Sequence, residues 1–415
     1  MISRIWKAFT SWAVVPQLVI AVSLTTLFGI LMIYSAGMLN IPSVISQDAW
    51  IRQLMWWCLA LFAFTFLQKM RVRWLEWFAY PLYGFSCLLL LVTLFYGSGS
   101  GTAAGVSSFL DIGFVRFQPA EIAKITTVLA LAKYISTYSE DLQNLRDIIS
   151  PSAFVFLPLV LVILQPDLGT ALSFIGILFA ILFWAGTPVF HLILLASPGL
   201  ALILSYDAKI WAAYFVLVTA FLYWYRSRLF LLESVTVMMA NLVAGTISTP
   251  LWNSLADYQK NRILVFLDPT VDPRGAGYHV IQSMVAIGSG GMTGKGFMEG
   301  TQKMFNFLPE QHTDFIFSVI GEELGFLGTI FTLGLFSFIF LSLLKMAEKE
   351  SDVFAGLVIF GILGAWMVHV FVNIGMTINV VPVTGIPLPF VSYGGSFLFM
   401  SWVAIGIATR VVQED

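Results

Sequence analysis

Carboxylates at the start of, and inside, one apolar segment are the side chains of this sequence with the clearest potential for chemistry. The segment reads LPEQHTDFIFSVIGEELG, with Glu310, His312 and Asp314 ahead of the apolar run and Glu322 and Glu323 within it. An ionised Asp at the centre of a membrane helix costs about 2.5–3.5 kcal/mol on insertion scales, so carboxylates at that depth indicate a functional site. We therefore expect the site of this protein to be organised around them.

On a helix, these groups would form one polar stripe. Asp314, Ser318, Gly321, Glu322 and Gly325 fall at i, i+4, i+7, i+8 and i+11, and so share a face. Two plainer interpretations of Asp314 stay open. It could be an ordinary N-terminal helix cap, or one ligand of a metal site formed with the alternating Glu and His before it, for which the spacing alone is weak support.

Positive charge near the membrane surface comes from the segment FQPAEIAK and the arginine before it. Gln118, Glu121 and Lys124 lie at i, i+3 and i+6, close to one helix face, and Arg116 precedes the helix. Lys124 and Arg116 could neutralise an anionic headgroup, since partly desolvated phosphates need cations. The alternative is a buried Glu–Lys pair that only holds helices together. Asp167 in QPDLGT either caps the next helix or orients those cations.

Two glycine-containing segments could contribute to a polar cavity. GSGGMTGKG offers backbone N–H groups that could bind oxyanions, although tight turns explain its glycines equally well. Lys295 in this segment is followed by glycine, so the spacing differs from that of a nucleotide-binding P-loop. FVSYGGS, which contains Ser392, is polar backbone at membrane depth that must line a cavity or be buried. Alternatively, its glycines permit close helix packing.

The elements that must position these residues are membrane helices. The chain has 415 residues, of which 59% are hydrophobic and 11% charged, whereas soluble domains have about 25% charged residues. Hydropathy predicts an all-α polytopic fold of about ten to twelve spans, which we treat as one integral membrane domain over residues 1–415. Large outer loops are expected at about 98–119 and at 251–313, the second before the tenth counted span. The net charge of −2 argues against a nucleic-acid partner.

Lysine and arginine flank the predicted spans on one side, which predicts that both termini are cytoplasmic. Lys7 precedes the first span, Arg71 follows the second and Arg410 ends the last. The residues alone therefore support a multi-pass inner-membrane protein with a polar cavity that opens outward. Such a protein is an enzyme that acts on an anionic lipid, or a transporter of such a lipid or of ions, and composition does not choose between them.

Several motifs together resemble the SEDS family of shape, elongation, division and sporulation proteins, which includes RodA and FtsW. They are FQPAEIAK, QPDLGT, DPRGAGYHVIQSMVAIGSGGMTGKGFMEGTQ, FLPEQHTDFIFSVIGEELG and GIPLPFVSYGGS, in that order along the chain. GKGFMEGTQ and IPLPFVSYGGS are more similar to RodA than to FtsW. The family usually has ten spans, so the surplus predicts an extra helical hairpin within 189–250.

The resemblance implies a peptidoglycan glycosyltransferase of cell elongation and shape, which polymerises lipid II into β-1,4-linked strands on the outer face of the bacterial cytoplasmic membrane. Asp314, in HTDF, would be the general base, and Lys124 and Arg116 would stabilise the departing pyrophosphate. A Mg²⁺ or Mn²⁺ ion could share that task, although the sequence shows no dedicated metal site. The implied partners are lipid II, membrane lipids and a class B penicillin-binding protein that cross-links the strands.

Ten residues of the matching motifs are candidates for substrate binding. They are Arg116, Gln118, Glu121, Lys124, Asp167, Lys295, Gln302, Glu310, His312 and Ser392. The main alternative function is a lipid II flippase or another lipid or ion transporter, which would need polar residues continuous from both membrane faces. A non-catalytic scaffold for other cell-wall proteins is a third possibility.

Overall fold

The chain folds almost entirely into helices. The computed structural model describes residues 2–38, 48–99, 107–113, 115–138, 142–225, 231–272, 275–305, 307–308 and 310–413. Within these ranges it has fifteen α-helices and one two-stranded hairpin, and nine of the described helices are long and apolar enough to cross a membrane. The predicted all-α polytopic fold is therefore confirmed.

The elements follow one another along the chain, and the longest segments between two described helices are 97–118 and 378–394. The helices are α1 (Ile2–Gly37), α2 (Ala49–Leu67), α3 (Val72–Tyr96), α4 (Pro119–Tyr138), α5 (Leu145–Leu164), α6 (Leu168–Trp184), α7 (Val189–Leu204), α8 (Ala208–Tyr225), α9 (Leu231–Ser254), α10 (Asp257–Leu267), α11 (Ala276–Ser289), α12 (Thr301–Met304), α13 (Ile316–Lys349), α14 (Val353–Thr377) and α15 (Gly395–Gln413). The strands β1 (Leu110–Ile112) and β2 (Val115–Phe117) pair antiparallel, and a 3₁₀ turn covers Pro269–Val271.

Hydropathy predicts spans at about 17–37, 53–69, 77–97, 119–137, 151–165, 169–186, 189–205, 209–225, 229–250, 315–344, 354–376 and 391–411, and each of these twelve segments coincides with one helix. Three of these helices fall outside the nine that meet the length and hydropathy requirement. Helix α4 carries a glutamate and two lysines, and α6 and α7 have only 17 and 16 residues. The region 189–250 holds α7, α8 and α9, which share a small apolar cluster of their own. The extra hairpin in this region stays a prediction.

The last helix begins four residues later than hydropathy predicts. It starts at Gly395, because the preceding residues form a loop that is bonded to α2. The Gln53 side chain donates to the carbonyl of Ser392 (3.1 Å) and accepts from the N–H of Gly394 (3.1 Å). Gln53 is fully buried, so these two bonds satisfy polar backbone at membrane depth, as a non-helical segment there requires.

Helix α13 is broken at Gly325, where the polar stripe predicted a continuous helix. Gly325 has a φ of +62°, which glycine adopts without steric cost. The freed N–H of Phe326 donates to the carbonyl of Gly291 (2.9 Å), and a Cβ on Gly325 would collide with the backbone of Gly294. The glycines of GSGGMTGKG therefore let this segment approach and complete the broken helix.

Helix α14 lies at the centre of the bundle and packs against α4, α6, α13 and α15. Small residues bring α14 and α6 close together, as is common between membrane helices. A Cβ on Gly364 would lie 2.9 Å from the carbonyl oxygen of Gly176. The close packing places two polar side chains of α14, His369 and Asn373, in the interior, where both are at most 1% exposed.

Helix ends and loops that were predicted to face outward meet at one end of the bundle. The Gln311 side chain donates to the carbonyl of Ala36 at the end of α1 (2.9 Å). The N–H of Ser107 donates to the carbonyl of Gln165 between α5 and α6 (3.4 Å). Parts of both predicted outer loops, namely 100–106, 114, 273–274, 306 and 309, lie outside the described residues.

Candidate active site

Asp314 lies in a tight turn that leads into α13. The carbonyl oxygen of Glu310 accepts hydrogen bonds from the N–H groups of Thr313 and Asp314, both at 3.1 Å. Glu310 has a left-handed φ of +49°, a conformation that costs a non-glycine residue about 1–3 kcal/mol and is typical of functional sites. Ser392, in the loop before α15, donates its hydroxyl to the carbonyl of Thr313 (2.6 Å). The turn is therefore held from two directions.

A cavity of about 270 Å³ lies beside the Asp314 side chain. Its polar lining residues are Asn261, Arg262, Asp272, His279, Glu310, Asp314 and Asn379. On one side of Asp314 the backbone of Gly385 packs so closely that a Cβ there would lie 3.3 Å from Oδ2. The volume is close to the lower end of the range for ligand pockets, about 300 Å³. The cavity thus combines carboxylates with a guanidinium and an imidazole.

The pKa of the Asp314 carboxyl is raised from 3.8 to about 7, chiefly by burial. The neighbouring carboxylate of Glu310 also raises this pKa, and that of Asp167 adds a smaller contribution. The guanidinium of Arg262 and a hydrogen bond from Thr313 oppose the shift. A general base works best when its pKa is near the working pH, so Asp314 is suited to accept a proton near neutrality.

Arg262 and His279 are among the cavity residues that sequence reasoning misses. Arg262 lies on α10 and His279 on α11, both within the region 251–313 that the sequence predicts to be an outer loop. Burial lowers the pKa of His279, while Asp272 opposes the shift, so the imidazole is neutral at pH 7. The one available signal was a single basic residue beside the apolar run ILVFL. Arg262 supplies the cavity with positive charge.

Asp167 and Gln118 join the start of α6 to the segment before α4. Asp167 caps α6 by accepting from the N–H of Thr170 (3.0 Å), and the Gln118 amide donates to its other oxygen (3.0 Å). Gly169, two residues further on, packs against the loop of Thr384, whose carbonyl would lie 2.9 Å from a Cβ there. Asp167 therefore sits next to the wall of the Asp314 cavity, although it is not among the lining residues.

Glu121 and Lys124 form a buried ion pair within the bundle. Glu121 Oε2 and Lys124 Nζ are 2.8 Å apart, and Lys124 Nζ lies 2.9 Å from His369 Nε2. Both line a separate small cavity of about 30 Å³ and not the cavity of Asp314. The substrate-binding role of this pair stays a prediction.

Arg116 lies on the hairpin of β1 and β2 and is exposed. Its guanidinium is 3.7 Å from the Asp111 carboxylate on the paired strand, donates to the carbonyl of Gly99 and stacks over the Phe109 ring at 4.8 Å. The described structure does not place Arg116 in the Asp314 cavity, and its substrate role stays a prediction.

The two intramembrane glutamates, Glu322 and Glu323, form ion pairs with lysines that lie between α11 and α13. Lys295 Nζ lies 2.7 Å from Glu322 Oε1, and the backbone N–H of Gln302 donates to the same oxygen (2.9 Å). Glu323 forms an ion pair with Lys303, and both side chains are fully buried. Lys295 and Gln302 therefore contact Glu322, and substrate binding by them stays a prediction.

His312 and Ser392 hold the Asp314 turn through its backbone. The N–H of Tyr393 donates to the carbonyl of His312 (2.8 Å), and the two rings lie 5.5 Å apart. Ser392 is 1% exposed, and its hydroxyl also accepts from the N–H of Leu388 (2.8 Å). No contact to a substrate follows from this placement, so both substrate roles stay predictions.

The metal interpretation of Glu310, His312 and Asp314 gains no support from their geometry. Among the residues that the structure describes, no group of three or more His, Cys, Asp or Glu side chains is arranged to hold a metal ion. The Glu310 carboxylate accepts from the Thr313 hydroxyl (3.3 Å), whereas the His312 ring packs on Tyr393.

The chain is similar to known proteins over most of its length. The family model of cell cycle proteins named for FtsW, RodA and SpoVE matches residues 16–234 and 210–415. The peptidoglycan glycosyltransferase MrdB of Escherichia coli K12 is 38% identical over 333 residues, which are 78% of this chain and 75% of that protein. The peptidoglycan glycosyltransferase RodA of Treponema pallidum is 32% identical over 413 residues, a match that covers 93% of this chain and 94% of that protein. A chain of a solved peptidoglycan synthase complex, described as coordinating polymerization and crosslinking, is 30% identical with a TM-score of 0.70, and the match covers 95% of this chain and 96% of that one.

Proposed function

We propose that this chain, which belongs to the cell cycle protein family of FtsW, RodA and SpoVE, polymerises lipid II with Asp314 as its general base. The chain is a multi-pass bacterial membrane protein and a peptidoglycan glycosyltransferase of the RodA type. One observation carries the role of Asp314: its carboxyl lines a polar cavity at the end of the bundle, and its pKa is raised to about 7, chiefly by burial.

The proposed reaction forms one glycosidic bond and breaks one bond to pyrophosphate. The 4-hydroxyl of the acceptor sugar attacks the anomeric carbon of the donor, and its proton passes to the Asp314 carboxylate. The bond between that carbon and the lipid pyrophosphate breaks, and the electron pair leaves with the phosphate oxygen. Attack opposite an α-linked leaving group inverts the anomeric carbon and gives the β-1,4 linkage.

We assign stabilisation of the leaving pyrophosphate to Arg262. Its guanidinium lines the same cavity as Asp314, and a planar guanidinium can bind two phosphate oxygens at once. Lys124, proposed for this role from the family resemblance, is instead 2.8 Å from Glu121 in the separate small cavity. Charge that develops on the leaving oxygen is best stabilised by a cation already held in the site.

The pH dependence of the reaction tests the protonation state of Asp314. A general base acts only when ionised, so kcat/KM for polymerisation should fall about tenfold per pH unit below the pKa of Asp314. With that pKa at about 7, we expect a plateau above pH 7 and a proportional loss below it, measured with purified protein and lipid II in detergent. Activity that stays constant down to pH 5 would show that the base does not have a pKa near 7, and would contradict the raised pKa of Asp314.

Substitution of Arg262 tests the assignment of the cavity cation. We expect Arg262→Gln to lower kcat by about a hundred- to a thousandfold, the usual cost of removing one donor to a developing oxyanion. Because Arg262 lowers the pKa of Asp314, the same variant should shift the acid limb of the pH profile upward. Arg116→Gln is the matched control. A larger loss from Arg116→Gln than from Arg262→Gln would return the role to the hairpin of β1 and β2.

We infer further that the protein works as one integral domain, residues 1–415, in the cytoplasmic membrane, with both termini inside and the Asp314 cavity outside. The shared location of the predicted outer loop ends supports this orientation. We also infer that it assembles with a class B penicillin-binding protein, supported by its similarity to a chain of the solved synthase complex. The charged side chains inside the bundle are paired with one another, which argues against a continuous polar path for transport. The pairs are Lys295–Glu322, Lys303–Glu323 and Lys124–Glu121.

A further inference from the structure

We propose that Asn373 and His369 are positioning residues that hold the loop 385–387 against the catalytic carboxylate of Asp314. Both lie on the central helix α14, one turn apart. The proposal rests on the proposed role of Asp314 as the base and adds the residues that fix its surroundings. Neither side chain lines the Asp314 cavity, so the proposal requires no contact with substrate.

Asn373 connects the Asp314 turn and the loop directly. Its amide nitrogen donates to the carbonyl of Asp314 (3.0 Å) and to the carbonyl of Ile386 (2.7 Å). Both carbonyls belong to segments without regular secondary structure, whereas Asn373 stands on a packed helix. A site held by a helix is more precise than one held by loops alone. Asn373 is fully buried, so water does not compete for these bonds.

His369 contacts Pro387, the next residue of the loop, and connects it to the buried side chain of Lys124. His369 Nδ1 lies 3.1 Å from the carbonyl of Pro387, and Nε2 lies 2.9 Å from Lys124 Nζ. A carbonyl can only accept and an ammonium can only donate, so Nδ1 carries the proton and Nε2 accepts. The ring also stacks on Phe397, with centroids 5.0 Å apart. The Glu121–Lys124 pair is thereby connected to the loop beside Asp314.

The loop matters because Gly385 forms one wall of the Asp314 environment, at a φ of +75°. If the loop moved away, water would reach the carboxylate and remove part of the desolvation that raises its pKa. The charged and titratable groups that act on Asp314 or line its cavity are Glu310, Asp167, Arg262, Asp272 and His279. None of these groups lies on α14, so a substitution on α14 removes none of these charges, and a change in the titration of Asp314 would report a change in how the carboxyl is held and shielded from water.

The first experiment removes both donors of Asn373 but keeps a side chain that branches at the same position. We expect Asn373→Leu to lower kcat/KM for polymerisation about ten- to a hundredfold, as small misplacements of catalytic groups do. The midpoint of the acid limb should also move from about 7 toward the ordinary value of 3.8. Loss of activity with an unchanged midpoint would show a merely structural role and overturn the proposal.

Asn241→Leu is the matched control for this variant. Asn241 is also a fully buried asparagine, and its amide donates to Ser197 Oγ and to the carbonyl of Val237, both at 2.8 Å. It belongs to the group of α7, α8 and α9. We expect this substitution to leave the midpoint of the pH profile unchanged. A similar shift in both variants would mean that any buried amide has this effect.

The second experiment separates the hydrogen bonds of His369 from the packing of its ring. His369→Gln keeps a donor and an acceptor, whereas His369→Phe keeps an aromatic ring against Phe397. We expect the glutamine variant to retain about tenfold more activity, since two hydrogen bonds are preserved. Equal or higher activity of the phenylalanine variant would assign His369 to packing alone.

A third measurement reads the pKa of Asp314 without any enzyme activity. Between pH 4 and about 7 the Asp314 carboxyl is protonated in the folded protein and ionised in the unfolded chain. The native protein should therefore lose stability relative to Asp314→Asn as the pH rises through this window, with no further change above it. In the Asn373→Leu background this loss should end at a lower pH.

This readout distinguishes the two possible failures. If the native protein makes no polymer but the pH-dependent loss of stability ends at a lower pH with Asn373→Leu, the proposed function fails and the positioning of the Asp314 carboxyl by Asn373 stands. If the native protein makes polymer and the titration is the same with Asn373→Leu, the positioning role fails and the function stands.

Discussion

Asp314→Asn should lower glycan polymerisation about a hundred- to ten-thousandfold, the usual contribution of a general base. Asparagine has the shape of aspartate but cannot take the proton from the acceptor hydroxyl. The rate of polymer formation from lipid II, in the presence of the cognate transpeptidase, measures the loss. The variant should still fold and insert, because the turn around residue 314 is held by backbone bonds from Ser392 and Asn373.

Glu310→Gln is the control for Asp314→Asn. Glu310 is the other carboxylate of the same turn, and its charge raises the pKa of Asp314. We expect Glu310→Gln to keep substantial activity and to move the acid limb of the pH profile downward. If Glu310→Gln abolished the reaction while Asp314→Asn did not, the base would be Glu310.

Lys303→Met should be the most destabilising of the substitutions considered. Lys303 and Glu323 are both fully buried and form an ion pair, and Ser35 donates to both oxygens of Glu323 (2.8 and 2.7 Å). Removing one member of a buried pair leaves an uncompensated charge, which costs about 3–5 kcal/mol. Thermal unfolding in detergent should show a large fall in Tm, or the protein should fail to accumulate.

Two further variants show whether the unpaired charge is the cause. The double variant Lys303→Met with Glu323→Gln removes the charge as well and should recover much of the stability. Lys295→Met is the matched single change, and because Lys295 is 26% exposed in its pair with Glu322, it should cost less. Equal losses from Lys295→Met and Lys303→Met would contradict the dominant role of burial.

The sequence was sufficient to predict the helices and to select Asp314 as a candidate, because both depend on local patterns. Runs of apolar residues have the length of a span, and a carboxylate next to such a run is rare enough to indicate a site. The capping role of Asp167 was also among the interpretations, since a cap depends on neighbours only three residues away. These features needed no knowledge of which helices meet.

The cavity itself could not be read from the sequence, because its parts come from distant segments. Arg262, His279 and Gly385 reach Asp314 through folding of the region 251–313 and of the loop after α14. The break at Gly325 was missed for a related reason. The helical period alone predicts a continuous polar stripe along one helix. In the structure, the helix is interrupted, and the N–H of Phe326 donates to the carbonyl of Gly291 instead of to a carbonyl of its own helix.

Whether Lys124 belongs to a structural ion pair or to a phosphate site depends on which side chains it contacts in the fold. The spacing of Glu121 and Lys124 suited both a structural pair and a site for phosphate. The structure places Lys124 between Glu121 and His369, and His369 lies far along the chain from that motif. Only the packing of α14 against α4 brings them together.

Polymer formation on a gel is the most direct test that Asp314 is the base of a glycosyltransferase. The purified protein and its cognate class B penicillin-binding protein would be supplied with lipid II, and native protein would be compared with Asp314→Ala at equal folded concentration. We predict glycan strands from the native protein and none from Asp314→Ala. Equal polymer from both, or no polymer from the native protein together with translocation of lipid II across liposomes, would contradict this account.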